Sequence, residues 1–285
     1  MSARETAVRK SQRGVSILGV IGVLVLLLMV AAFVVPYGFA WYFINKQMRE
    51  NPGLVLRPVP LPAAAPLVAK GKPHTLTCCG ISFDVPWGQP GEPPRASQYS
   101  VNYSFGPASP SVMVSKEAAR VEPLFVQESL DARTRQSLEQ AYGIALPRTR
   151  HEAHERVLNY VPRRPSITAM QKIYLEMMMI SQKQMLMETY GESGSGIFSF
   201  AVPAGRGFQI NDPAKSKTIV VHLFDSADSH SQIQIRRGDT EVTQSEVDFV
   251  VRSIRPAPAP APAPAEKGAK PGRPAGKAPS GGSKR

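Results

Sequence analysis

Apolar positions change period along the chain, and each regime predicts a different kind of element. Val15 to Val35, VSILGVIGVLVLLLMVAAFVV, is uncharged throughout. As a helix its twenty-one residues would span ~31 Å, close to the ~30 Å hydrocarbon core of a bilayer. The stretch therefore predicts a transmembrane helix, with Tyr37, Phe39, Trp41, Tyr42 and Phe43 as an interfacial aromatic belt at its exit. It is longer than the apolar core of a signal peptide, and Ala63-Ala64-Ala65, the A-x-A match nearby, lies far beyond it. An uncleaved anchor is expected.

From residue 74 the period falls to two. Ile81, Phe83 and Val85 alternate before Pro86; Tyr99, Val101, Tyr103 and Phe105 alternate before Gly106; Val112 and Val114 follow a turn. A second strand set is Ile197 to Val202, Phe208 to Ile210, Thr218 to Phe224 and Ser231 to Arg236. Thr218 to Phe224 is apolar on both faces apart from His222, which predicts a central strand, whereas SQIQIR alternates and predicts a half-exposed one. Thr243-Gln244-Ser245-Glu246 is a capping box opening a helix whose apolar face is Val247, Val250, Val251 and Ile254.

Between the strand sets, residues 117–190 predict helices. The first is expected from Pro123 through Leu130, Leu138 and Tyr142 to a stop at Gly143; the second from Arg150 to Tyr160; the third from a Ser166 cap to Tyr190, with Ile167, Met170, Ile173, Tyr174 and Met177 on its apolar side. Strands flanking a helical block predict an α+β domain over 74–255, an antiparallel sheet with packed helices.

Composition divides the rest. Residues 1–14 are a basic head, 15–44 the span with its aromatic exit, and 45–73 a spacer in which residues 51–73 hold six prolines. Such a stretch favours an extended, semi-stiff chain. Residues 256–285 begin with Pro-Ala repeats and end in a basic segment without apolar periodicity, the composition of a disordered tail. The net charge of +12 lies outside the domain, because 74–255 has nineteen basic and nineteen acidic residues. A neutral fold argues against nucleic acid as its partner. The basic tail suits either an anionic partner or simple solvation. Four basic residues precede the span within the first fourteen, against Lys46, Arg49 and Arg57 after it. This slight bias predicts a cytoplasmic N-terminus and an extracytoplasmic domain in the cell membrane.

Few residues suggest chemistry. Cys78 and Cys79 are adjacent, so in one strand they would face opposite ways; with Gly80 they predict a bulge or tight turn. They are either a disulfide, vicinal or intermolecular, or two packed thiols. In HEAHE, His151 and His154 are three apart, unlike the zinc motif H-E-x-x-H; His222, Asp225, Asp228 and His230 surround one turn. His151, His154, His222, Asp225 and His230 are thus metal candidates, and satisfied or solvated side chains are the ordinary alternative. Met170, Met177, Met178, Met179, Met185 and Met187 crowd the third helix. Thioethers suit core filling, a partner groove or copper(I), in that order. GESGSG at 191–196 ends a helix before a strand and lacks the fifth-position glycine of a nucleophile elbow. No cofactor is expected, and no catalytic residue is assigned.

GISFDVPWG, GRGFQINDP, TIVVHLFD and TQSEVDFVVRSI resemble the PsbP-like and DcrB-like group of α+β domains, over 74–115 and 196–255. The resemblance implies a sheet sandwiched by helices, placed outside the cytoplasm and acting by binding or scaffolding. The expected function is a single-pass, membrane-anchored binding or scaffold protein of the cell envelope. A membrane-tethered metal-dependent enzyme, and a cytoplasm-facing domain with a lipid-binding tail, are the alternatives.

Overall fold

The computed structural model describes residues 17–63, 72–116, 131–163, 170–187 and 194–258. The basic head, the centre of the Pro-rich stretch, the Ser166 cap, residues 191–193 and most of the tail lie outside them.

In chain order, α1 is Ile17–Glu50, followed by a 3-10 turn at Pro52–Val55 and a short β1 at Val59–Pro60. Then come β2 (His74–Cys78), β3 (Ile81–Val85), β4 (Arg95–Ala96), β5 (Ser100–Ser104) and β6 (Ser111–Lys116). The helices α2 (Ala132–Tyr142), α3 (Arg150–Asn159) and α4 (Met170–Met187) follow. The chain continues as β7 (Ile197–Val202), β8 (Gly205–Ile210), β9 (Thr218–Phe224), β10 (His230–Arg236), α5 (Gln244–Arg252) and β11 (Arg255–Pro256). The fold is α+β, as its two apolar periods require.

Two sheets form. The larger runs β1-β7-β8-β9-β10-β6-β5-β4 and the smaller β11-β3-β2. All pairs are antiparallel except β1 with β7. One face of the large sheet, with Val112, Val114, Ile219, Val221, Ile233 and Ile235, packs on Phe83 and Val85 of the small sheet and on Val247, Val250 and Val251 of α5. The other face, with Phe208, Ile210, Val220 and Phe224, packs on Val157 and Leu158 of α3 and on Leu175, Met179 and Leu186 of α4.

This double cover corrects the expectation for β10. Ser231 to Ile235 is buried on both faces, because Gln232 and Gln234 point to the helical side and Ile233 and Ile235 to α5 and the small sheet. Strand β9 is fully buried and central, as its continuous apolar run implied.

The stretch after the apolar run also departs from expectation. Helix α1 continues through Pro36 to Glu50, and the next residues fold onto the domain instead of forming a free spacer. Every residue from 21 to 36 whose side chain is described is exposed, whereas Ala40 and Ile44 are fully buried. Ile44, Leu54 of the 3-10 turn and Ile180 of α4 make a small core with Phe43, Met48 and Tyr160 around it. Val59 pairs with Phe198, so β1 adds an edge to the sheet. The prolines permit this because a 3-10 turn tolerates proline at its start and an edge strand lacks an obligatory donor. Pro256, expected to begin the tail, pairs with Ile81 and closes the small sheet.

Helix α4 is consequently claimed from two sides, by α1 and by the sheet. Its buried positions include Leu175, Met179, Ile180, Lys183, Leu186 and Met187, while Tyr174, expected on the apolar side, is 64% exposed. Helix α2 begins at Ala132, because Asp131 has an extended backbone and caps the amides of Arg133 and Thr134; residues 123–130 lie outside the described residues. Gly143 ends α2 with φ 62, the left-handed stop its position implied. Helix α3 and the capping box of α5 match the sequence pattern.

Candidate functional site

The helical face of the large sheet carries a cluster of imidazoles. Within β9, His222 shares its face with Val220 and Phe224, since alternate residues point the same way. The β9–β10 register pairs Phe224 with His230 and His222 with Gln232, which makes His222 and His230 diagonal neighbours. Their rings stack at 5.2 Å with an interplanar angle of 12°, and Nδ1 of His222 lies 3.0 Å from Nε2 of His230.

Helix α3 brings the third ring. Asp228, in the β9–β10 turn with φ 60, accepts hydrogen bonds from the amides of Arg150 and His151, and the Thr149 hydroxyl accepts from Glu152. A carboxylate 77 residues away thus satisfies amides that a helix start leaves free, and its charge suits the helix dipole. One turn on, His154 sits 5.5 Å from His222, 5.3 Å from His230 and 4.8 Å from Phe224, centroid to centroid. His154, His222 and His230 are 0–1% exposed. One ring nitrogen from each lies within 4.8 Å of the others.

The remaining metal candidates stand apart. His151 stacks on Phe208 at 5.1 Å and meets Phe224 edge-on, outside the trio. Asp225 is exposed, and its carboxylate accepts from the amides of Ala227 and Ser229, so it shapes the turn. Three of the five sequence candidates therefore converge, and the i, i+3 pair in HEAHE does not act as a unit.

Burial lowers the proton affinity of His154 and His151. Desolvation pushes His154 down to about 4, partly opposed by its hydrogen bond to the Arg150 carbonyl. Burial, then the Arg206 cation, also lowers His151. A carbonyl only accepts, so His154 Nδ1 carries the hydrogen at 2.9 Å from Arg150 O, and Nε2 keeps its lone pair. That Nε2 is buried with no hydrogen-bond partner among the described residues.

Two clefts flank the cluster. One, of about 640 Å³, lies beside the β2–β3 turn and is lined in part by Lys116, Arg206, Asp225 and Asp228. The other, of about 1030 Å³, lies between the α2–α3 connection and α4, with Leu146, Glu155, Leu175 and Met179 in its wall. Neither is lined by the three imidazoles.

The cysteines occupy a hairpin turn. Cys79 and Gly80 have φ 53 and 82, the all-positive pair of a type I′ turn, so Cys78 ends β2 opposite Ile81 and Cys79 leaves the strand. Both are free thiols, and burial raises Cys78 to about 12. Met179 and Met187 are core filler, and the Ser195 hydroxyl donates to or accepts from that of Ser216, tying the loop down.

Sequence reasoning missed Lys183. It is fully buried on α4, and its ammonium donates to the carbonyls of Leu56 (2.5 Å) and Tyr160 (2.6 Å). The only local signal is a lysine within an otherwise uncharged run, MMMISQKQMLM.

Comparison of the chain with protein-family models, curated proteins and solved structures finds no match in any of the three.

Proposed function

We propose that this chain is a single-pass membrane protein whose α+β domain stands outside the cytoplasm and binds a protein or polymer of the cell envelope without catalysing a reaction. The observation that supports it most directly is α1. The helix is long and apolar enough to cross a membrane, only 6% of its most apolar window is buried, and its far end is built into the domain core. An exposed apolar helix of this length has no favourable place in water, whereas lipid satisfies it. The basic residues ahead of the span favour a cytoplasmic N-terminus.

A catalytic metal needs a position open to substrate. The closure of the imidazole cluster from both clefts therefore favours binding over the tethered-enzyme alternative.

A topology reporter fused after Arg285, with protease treatment of intact spheroplasts, tests the placement. Reporter activity outside and a protease-sensitive domain are expected, followed by capture of envelope components on the immobilised domain-bearing chain. A protected, cytoplasmic C-terminus overturns the placement, and would make anionic lipid the partner to test for the basic tail. Robust hydrolytic turnover by the purified chain overturns the non-catalytic role.

A further inference from the structure

From the convergence of three buried imidazoles we infer that His154, His222 and His230 form a binding site for one divalent transition-metal ion, zinc by preference. The site joins α3 to β9 and β10 and is independent of what the domain binds.

The donor set and its geometry fit. Zinc takes imidazole nitrogens at ~2.0–2.1 Å in a tetrahedral arrangement, which sets ligand nitrogens ~3.3 Å apart. His222 Nδ1 and His230 Nε2 are already 3.0 Å apart. With one ring nitrogen of each histidine inside 4.8 Å of the others, the widest such pair closes by at most about 1.5 Å to reach tetrahedral spacing. The tautomer of His154 is already the one a metal requires. Its Nδ1–H donates to Arg150 O, the outer-shell bond typical of metal-bound histidine, and Nε2 is left as a bare, buried acceptor. An ion on that lone pair removes an otherwise uncompensated desolvation.

Loading needs no net proton release. The hydrogen shared between His222 Nδ1 and His230 Nε2 moves to the other nitrogen of its own ring, and both facing lone pairs then bind the ion. The all-nitrogen set suits zinc, copper(II) or nickel and disfavours calcium and magnesium. Three protein nitrogens leave one tetrahedral position for a water. Cross-linking a helix to a hairpin in the core is a stabilising role, which explains why the ligands need no cleft.

The test uses the full chain in mild non-ionic detergent, purified without chelator, then stripped by unfolding with chelator and refolded with zinc or cobalt(II). One zinc per chain by elemental analysis is expected, together with cobalt(II) visible bands of tetrahedral intensity that zinc displaces. H154F and H230F should weaken binding by about 100-fold or more, since losing even an outer-shell partner costs about 10–100-fold. H151F should keep one equivalent. Should a phenylalanine variant fail to fold, ring 15N shifts of the unmodified chain decide: zinc must shift His154 Nε2 and leave His74 unchanged. Folded chain that takes up no zinc or cobalt, or a folded H154F that still binds one equivalent, overturns the site.

Discussion

Lys183→Met isolates the buried lysine that ties the segment after α1 to the domain. Burial lowers the Lys183 ammonium from 10.5 to about 8, with the Arg57 cation adding to the effect. At about 1.36 kcal/mol per pH unit, the charge costs the folded chain roughly 3 kcal/mol below pH 8. The folded value lies below the unfolded one, so between pH 8 and 10.5 the unfolded chain holds the extra proton. Stability contributed by Lys183 therefore rises with pH across that window. Methionine keeps the stem but strips the donor from the carbonyls of Leu56 and Tyr160. Two unsatisfied acceptors cost about 1–3 kcal/mol each, against roughly 3 kcal/mol regained by not burying a charge. The variant should be destabilised by up to about 3 kcal/mol near pH 7. Urea unfolding of both chains in detergent, followed by near-UV circular dichroism, measures the gap. The gap should widen by roughly 1 kcal/mol from pH 7 to pH 9 as the wild-type amine sheds its proton. The nearby Tyr160 phenol and Glu176, together with Cys78 and Tyr103, are present in both chains and cancel in the difference. Parallel stability curves over that range would refute the buried ammonium.

Other residues give independent outcomes. Asp228→Ala removes the carboxylate that accepts from the Arg150 and His151 amides; it should cost about 1 kcal/mol, or about 2–4 °C in Tm, with Asp228→Asn milder. A thermal melt unchanged in both variants would reject the cap. Gly207→Ala would set a Cβ 1.8 Å from the His222 carbonyl oxygen, wedging β8 from β9; a loss of about 3 kcal/mol in urea unfolding is expected, and a near-neutral result would contradict the close approach. Thiol titration of the denatured, unreduced chain should find both cysteines. In the native chain at pH 8, Cys78, raised to about 12 by burial, should alkylate about a thousandfold more slowly than a free cysteine. Recovery of a Cys78-containing disulfide by peptide mapping would disprove the free-thiol state.

Local signals were legible in the sequence because they depend on near neighbours. The uninterrupted apolar run, the alternation in β3 and β7, the left-handed stop at Gly143 and the Thr243–Glu246 capping box each follow from a few adjacent residues. What failed was whatever depended on a distant partner. SQIQIR looked half-exposed because alternation reports polarity, and only the helical cover over Gln232 and Gln234 buries the second face. The proline-rich neck looked like a spacer because composition cannot register that Leu54 finds Ile180 or that Val59 finds Phe198. The imidazoles divide the same way. Their residue type and the turn between His222 and His230 were visible, and the i, i+3 spacing of His151 and His154 invited the wrong pair. On a helix that spacing sets the two rings about 60° apart, so both reach Phe224 but only His154 meets His222 and His230. By itself the chain determined its long apolar helix, its strands and its helix ends, since these are settled within a few residues. Tertiary structure alone decided which polar groups would be buried, and it brought His154 to His222 and His230 by seating the start of α3 on Asp228.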